Sequence, residues 1–112
     1  MKYTSSHEWI ELDGNIATVG LLAAAKEQIG QVVALQLLPV ETEVQAGDSI
    51  GVVESSKSAI EFYAPLDGRI VAVANSFEND WLYKIKLFDI EKFEALMDKE
   101  QYEKDVLGGK KI

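Results

Sequence analysis

Few side chains in this sequence have the type and spacing that chemistry needs, and Lys57 is the first of them. It stands in Val52-Val53-Glu54-Ser55-Ser56-Lys57-Ser58-Ala59-Ile60-Glu61-Phe62-Tyr63, between two β-rich runs, with small residues (Ser55, Ser56, Ser58, Ala59) on either side. Ile60 and Phe62 alternate with Glu61 and Tyr63, the period of a half-buried strand. A lysine at such a hairpin tip is either an ordinary solvated turn residue or an amine presented to another molecule. Unassisted lysine amines are poor nucleophiles at neutral pH. Chemistry at Lys57 therefore calls for a covalently attached group that carries the reaction, held on a tip that is rigid at its base and exposed at its end.

The other candidates are weaker. His7-Glu8 has the composition of an acid–base pair, but no nucleophile or second base stands near it in sequence, so a structural or surface histidine is the simpler reading. Glu41 and Glu43 form a carboxylate pair that no motif places in a cleft. The sequence has no cysteine and one histidine, which excludes disulfides and thiolate sites and leaves no histidine-built metal centre. It also has no glycine-rich phosphate loop. No metal site and no catalytic residue is expected.

Length and composition bound the rest. The 112 residues suit one domain, over 1–112, with 47% hydrophobic and 27% charged residues, as in an ordinary globule. The net charge of −8 disfavours nucleic acid and anionic membrane as partners. Residues 1–56 carry only Lys2 and Lys26 against eight acids, a net of −6, while residues 57–112 have a net of −2. Lys57 thus follows a long acidic or neutral run, which serves either solubility or electrostatic docking. No secretion signal or membrane-length apolar run is present, and the cytoplasm is the expected location.

The elements that must position Lys57 are mostly strands. Asp13-Gly14-Asn15 between alternating runs predicts a hairpin from the Trp9-Ile10 segment into Ile16–Gly20, with Trp9 or Ile10 facing inward. Leu22, Ala25 and Ile29 recur at helical spacing over Leu21–Ile29, with Gly30 as C-cap and no good N-cap. An apolar strand over Gln31–Leu37 stops before Pro39. Turns at Ala46-Gly47-Asp48 and Asp67-Gly68 each lead into an Ile-led strand (Ile50–Val53 and Ile70–Val73), a weak internal repeat around the lysine hairpin. Asn75–Asp80 is polar and turn-like. In Trp81–Leu87, Trp81, Tyr83, Ile85 and Leu87 share one face and Lys84 and Lys86 the other. Asp89 caps an expected helix over Ile90–Met97 that turns Phe93 inward. Asp98 with Gln101 forms a capping box for a second helix, bearing Tyr102 and Val106 and closed by Gly108-Gly109, with Lys110–Ile112 frayed.

The run Val53–Gly68 resembles the lipoylation segment E-S-V-K-A-A-S-D-I-Y-S-P-V-S-G of the H protein of the glycine cleavage system. Tyr3–Trp9 resembles that family's Y-x-x-x-H-E-W opening, Ala17–Gly20 its A-x-V-G-I, and Trp81–Ile85 its G-W-L-x-K-I. Ile29-Gly30 and Ala46-Gly47-Asp48 are similar to its L-G and A-G-D. The resemblance covers almost the whole chain, in order. It implies a barrel-sandwich hybrid of β-strands with a short helix in the N-terminal half and C-terminal helices. It also implies lipoate in amide linkage to Lys57, with Glu54, Ser55, Ser56, Ser58 and Glu61 as its flanks. Such a chain is a carrier rather than an enzyme. Its implied partners are a lipoate ligase or lipoyl transferase, glycine decarboxylase, the aminomethyltransferase and dihydrolipoamide dehydrogenase.

Departures from the pattern bear on the cargo. Leu22–Lys26 replaces the family's T-D/E-x-A-Q helix start, and Leu38-Pro39-Val40-Glu41-Thr42 replaces L-P-E-V-G. Ile60 stands where the family has the serine before its acid, and Ala74–Asp80 replaces a longer segment that helps to shelter the loaded arm. A lipoate relay, a carrier for another pathway such as sulfur-compound oxidation, and a non-lipoylated interaction module stay open beside the glycine cleavage role.

Overall fold

A computed structural model of the chain describes residues 1–76 and 80–110. Its strands are β1 (Lys2–Tyr3), β2 (Glu8–Asp13), β3 (Ile16–Leu21), β4 (Val32–Leu37), β5 (Glu43–Val44), β6 (Ser49–Ser55), β7 (Ala59–Tyr63), β8 (Gly68–Val73) and β9 (Tyr83–Leu87). Helix α1 spans Ala23–Ile29, a 3-10 helix spans Ile90–Ala95 and helix α2 spans Lys99–Asp105. All strand pairs are antiparallel. One sheet runs β1-β2-β3-β9-β8-β5 and the other β4-β6-β7. Among the described residues no pairing closes these sheets into a barrel. The fold is mostly β and sandwich-like.

The core lies where the alternating residues of both sheets meet. Ile10, Val19, Ile70, Tyr83 and Ile85 come from the larger sheet, and Ile50, Val53 and Phe62 from the smaller, all buried. The expected inward residue of the first strand is Ile10; Trp9 is half-buried. The turn is Gly14-Asn15, with Gly14 at φ +63° and Asp13 paired to Ile16. Helix α1 starts at Ala23 rather than Leu21 and has no side-chain cap; its buried residues Ala25 and Ile29 hold it to the core, and Gly30 at φ +74° ends it.

Several expectations are corrected. Asp67-Gly68 is not a left-handed turn: Gly68 begins β8, and a Cβ there would sit 2.4 Å from the Lys86 carbonyl oxygen, so glycine serves close strand approach. The two Ile-led strands of the apparent repeat are β6 and β8, in different sheets. Trp81 precedes β9, and its ring lies 5.3 Å from the Lys84 ammonium instead of extending the strand's apolar face. The first C-terminal helix is 3-10 and stops at Ala95; Asp89 caps it by accepting from the Glu91 N–H, and Phe93 is buried as expected. The next cap is as read, with Asp98 accepting from the Gln101 N–H at 2.8 Å and Tyr102 buried. Part of the Asn75–Asp80 turn (residues 77–79) and the frayed end (111–112) fall outside the described residues. Among the described residues no helix is long and apolar enough to cross a membrane.

Glu41 holds a left-handed backbone at φ +74°, its N–H donating to the Ile70 carbonyl at 2.7 Å. This conformation costs a non-glycine residue about 1–2 kcal/mol. The exposed ion pair of Glu41 with Arg69, at 3.8 Å, returns well under about 1 kcal/mol, and Arg69 keeps Glu43 at 3.6 Å. Glu41→Gly is therefore expected to raise denaturation stability by roughly 0.5–1 kcal/mol, and Glu41→Val to lower it by more than about 1 kcal/mol. Urea titration of the two variants checks the order.

Candidate functional site

Lys57 sits in the turn between β6 and β7, exposed, with exposed Ser56 and Ser58 beside it. The turn is closed by Ser55. Its hydroxyl accepts from the N–H groups of Lys57 and Ser58, both at 3.2 Å, and donates to the Ser58 carbonyl at 3.1 Å. The Ser55 N–H also donates to Ser58 O at 2.8 Å, and the Ser56 N–H donates to the Gln31 carbonyl at 3.1 Å. These bonds tie the tip to itself and to the segment ahead of β4. None of residues 55–58 has a positive φ, so side chains cost the turn no strain. Below it, Val53 pairs with Ile60 while Val53 and Phe62 are buried, anchoring the hairpin in the core.

Glu54 and Glu61 are exposed on the two strands and face solvent beside the tip. The Tyr63 hydroxyl donates to Glu61 Oε2 at 3.2 Å, and this contact with a carboxylate raises the Tyr63 pKa. Among the described residues no ion pair engages Lys57, Glu54 or Glu61. The free amine is unobstructed, and its surroundings are otherwise acidic.

A cleft of about 240 Å³ opens along β7. Ser5, Ser6 and His7 form one side, Gln28 and Ile29 of α1 another, and Ile60, Glu61 and Phe62 the third. Its lining is mixed, with Ala25, Ile29, Ile60 and Phe62 apolar and the serines, His7, Gln28 and Glu61 polar. His7 is held there by a strained backbone at φ +64°. Its Nδ1 lies 2.6 Å from the Tyr102 hydroxyl and its Nε2 3.4 Å from the Gln28 amide, so both ring nitrogens are partnered. Tyr102 in turn stacks on Tyr3 at 5.3 Å, which links α2 to the cleft wall.

The sequence placed Lys57 and its flanks together, and the hairpin brings them together. It read Ser55 only as a small neighbour; its role in closing the turn is carried by a serine two and three residues before the N–H groups it caps. The cleft residues Ser5, Ser6, Gln28 and Ile60 come from three separated segments, so no local spacing signals them. His7 and Glu8 do not act as a pair: the imidazole meets Tyr102 and Gln28, whereas Glu8 turns into the core. Glu41 and Glu43 pair with Arg69 away from the cleft. Among the described residues no group of three or more His, Asp or Glu is placed to hold a metal ion.

Glu8 is 2% exposed; Thr4 Oγ1 donates to its Oε1 at 3.0 Å, and its Oε2 is buried without a hydrogen bond, as is the Tyr83 hydroxyl. Burial pushes the Glu8 carboxyl up to about 7 from 4.5, against the lowering effect of the Thr4 bond. Burial, with the Glu8 charge, raises Tyr83 well above its ordinary value. Between pH 4.5 and about 7 the folded protein holds a proton at Glu8 that the unfolded chain has released. The stability contributed through Glu8 is thus fully present below this window and is lost as pH rises through it, by on the order of 3 kcal/mol. Glu8→Gln removes that loss, so the gap between variant and parent melting temperatures should widen in the variant's favour from about pH 5 to about pH 8. Parallel melting curves over that range would contradict the assignment.

Comparison with known proteins fits this geometry. The profile of the glycine cleavage H-protein family matches residues 1–108. The chain is 36% identical over 115 residues to a glycine cleavage system H protein of Phenylobacterium zucineum (strain HLK1), covering 92% of this chain and 95% of that one. It is 35% identical over 116 residues to the H protein of Carboxydothermus hydrogenoformans, covering 93% and 89% respectively. The crystal structure of a glycine cleavage system H protein from Mycobacterium marinum superposes with a TM-score of 0.75 at 30% identity, over 92% of this chain and 93% of that one. With the profile spanning nearly its full length and two relatives above 30% identity, the chain belongs to the glycine cleavage H-protein family.

Proposed function

We propose that this chain is a lipoyl carrier of the glycine cleavage type, a non-catalytic single-domain component that bears lipoate in amide linkage on Lys57. The observation that carries the reading is the exposed Lys57 amine on a turn closed by Ser55, at the head of the strand whose Ile60, Glu61 and Phe62 line the cleft. The residues present fit the group: small flanks leave the amine accessible to an attaching ligase or transferase, and no ion pair among the described residues competes for it. When bound, the lipoyl group supplies a dithiol–disulfide couple able to hold an aminomethyl fragment on sulfur.

The chain's own residues do the positioning. Ser55 and the buried pair Val53 and Phe62 fix the direction in which the hairpin projects. Buried Ala25, Ile29 and Phe62 give the cleft its apolar part, and Glu61 offers a carboxylate there for a cationic cargo. Glu54 and Glu61 give the hairpin an acidic character that deepens when amidation removes the Lys57 charge. The partners in this reading are glycine decarboxylase, the aminomethyltransferase and dihydrolipoamide dehydrogenase. A carrier for another pathway draws on one specific observation: Ile60 makes the cleft wall more apolar than the family pattern does.

The protein from its native host should have the intact mass of a singly lipoylated chain, and Lys57→Ala the unmodified mass; an unmodified native protein removes both carrier readings. Reconstituted with the partner enzymes, the lipoylated protein should support glycine-dependent bicarbonate exchange. Lipoylation without exchange would favour the other pathway.

A further inference from the structure

We propose that the outer face of the larger sheet, along β3, β9 and β8, is a docking surface for an acidic segment of a partner protein. That face points away from the sheet that carries Lys57, so an occupant there leaves the β6–β7 turn uncovered, whether or not Lys57 is modified.

Charge on this sheet runs against the trend of the chain. The sequence has 19 acidic residues against 11 lysines and arginines. Yet β3, β8 and β9 contain no Asp or Glu and three cations, Lys84, Lys86 and Arg69. Tyr83, Ile85 and Leu87 of β9 are buried in the core, so alternation puts Lys84 and Lys86 together on the outer face. The register sets Lys86 directly opposite Arg69 on β8. Like charges opposed in this way lie about 5 Å apart and weaken a sheet, and Lys84 follows about 7 Å along the strand. The cluster costs the fold stability, so its use lies outside the fold.

Little within the molecule answers these charges. Among the described residues Lys86 is exposed and makes no ion pair. Lys84 is half-buried, with its ammonium over the Trp81 ring at 5.3 Å instead of in an ion pair. Arg69 meets Glu41 at 3.8 Å and Glu43 at 3.6 Å, both on exposed side chains, where such pairs are weak. Half-buried Trp9 lies across Gly20 on the same face, and tryptophan and arginine are the side chains that most often anchor an interface. Acids border the strip, Glu11 and Asp13 on β2 at one side and Glu43 on β5 at the other. Between them the three strands span about 10 Å, the width of one helix. A protein segment with acids along its middle and none at its margins matches this pattern. Nucleic acid, negative across its whole width, meets the bordering acids.

The test titrates isotope-labelled full-length protein with a blocked hexaglutamate peptide at about 20 mM salt. The amide resonances of Lys84, Lys86 and Arg69 should shift, those of residues 55–58 should stay in place, and the shifts should fade at about 0.5 M salt. Lys86→Glu should weaken binding about five-fold, whereas Lys104→Glu, an equal change of net charge on exposed α2, should leave it within about two-fold of the parent. Should Lys86→Glu fail to fold, Lys86→Gln answers the same question: weaker binding supports the proposal, and unchanged binding overturns it. Resonances of the three cations that do not move, or equal weakening by Lys86→Glu and Lys104→Glu, overturn it. So does tighter binding of oligothymidylate than of hexaglutamate at these residues, which makes the occupant a nucleic acid. Salt-sensitive self-association seen by light scattering and abolished by Lys86→Glu overturns it as well, by making the occupant a second copy of the chain.

Discussion

The hydroxyl of Ser55 is the small group on which the shape of the Lys57 turn depends. It accepts from two backbone N–H groups of the turn and donates to the Ser58 carbonyl. A three-residue connection without glycine is thereby closed without a left-handed residue. Each such bond is worth only about 1 kcal/mol net. Their combined effect is directional: the backbone at Lys57 has one orientation relative to a hairpin whose base is locked by Val53 and Phe62.

Behind the hairpin, the larger sheet supplies mass and the helices supply walls. The loop from Thr4 to His7 is where these parts meet. The Thr4 carbonyl accepts from His7 and the His7 carbonyl from Leu22, at the start of α1, while the imidazole reaches Tyr102 on α2. A helix far along the chain thus steadies one side of a cleft whose other side is β7. The strained backbone at His7 is compatible with a folded protein because hydrogen bonds on both its peptide groups and both its ring nitrogens over-determine it.

Much of this was legible in the sequence, and for physical reasons. Alternation exposed β7 and β9, the aspartates before the C-terminal helices announced their caps, and the small residues around Lys57 marked a tip. What stayed hidden depends on distant contacts. The aspartate and glycine at 67–68 have the composition of a turn, but Gly68 answers to the Lys86 backbone on a neighbouring strand. Glu8 has the look of half an acid–base pair until its burial is known. The cleft joins residues from three segments, and Ile60 reads as one more apolar strand position until its half-exposed face is seen against α1.

Among the described residues, presenting a hairpin from a sheet of only three strands leaves both edges of that sheet without a partner strand, and β4 is one of them. Its ladder to β6 is interrupted between Val32 and Ala34, where Val33 bulges outward with 70% of its surface exposed. A regular strand at that position would offer a continuous row of backbone donors and acceptors to any crowded neighbour, beginning next to the lysine. The bulge breaks the spacing of that row and twists it, so a second copy has no straight template to zip against. The irregularity guards against self-adhesion along the edge next to the turn that carries Lys57.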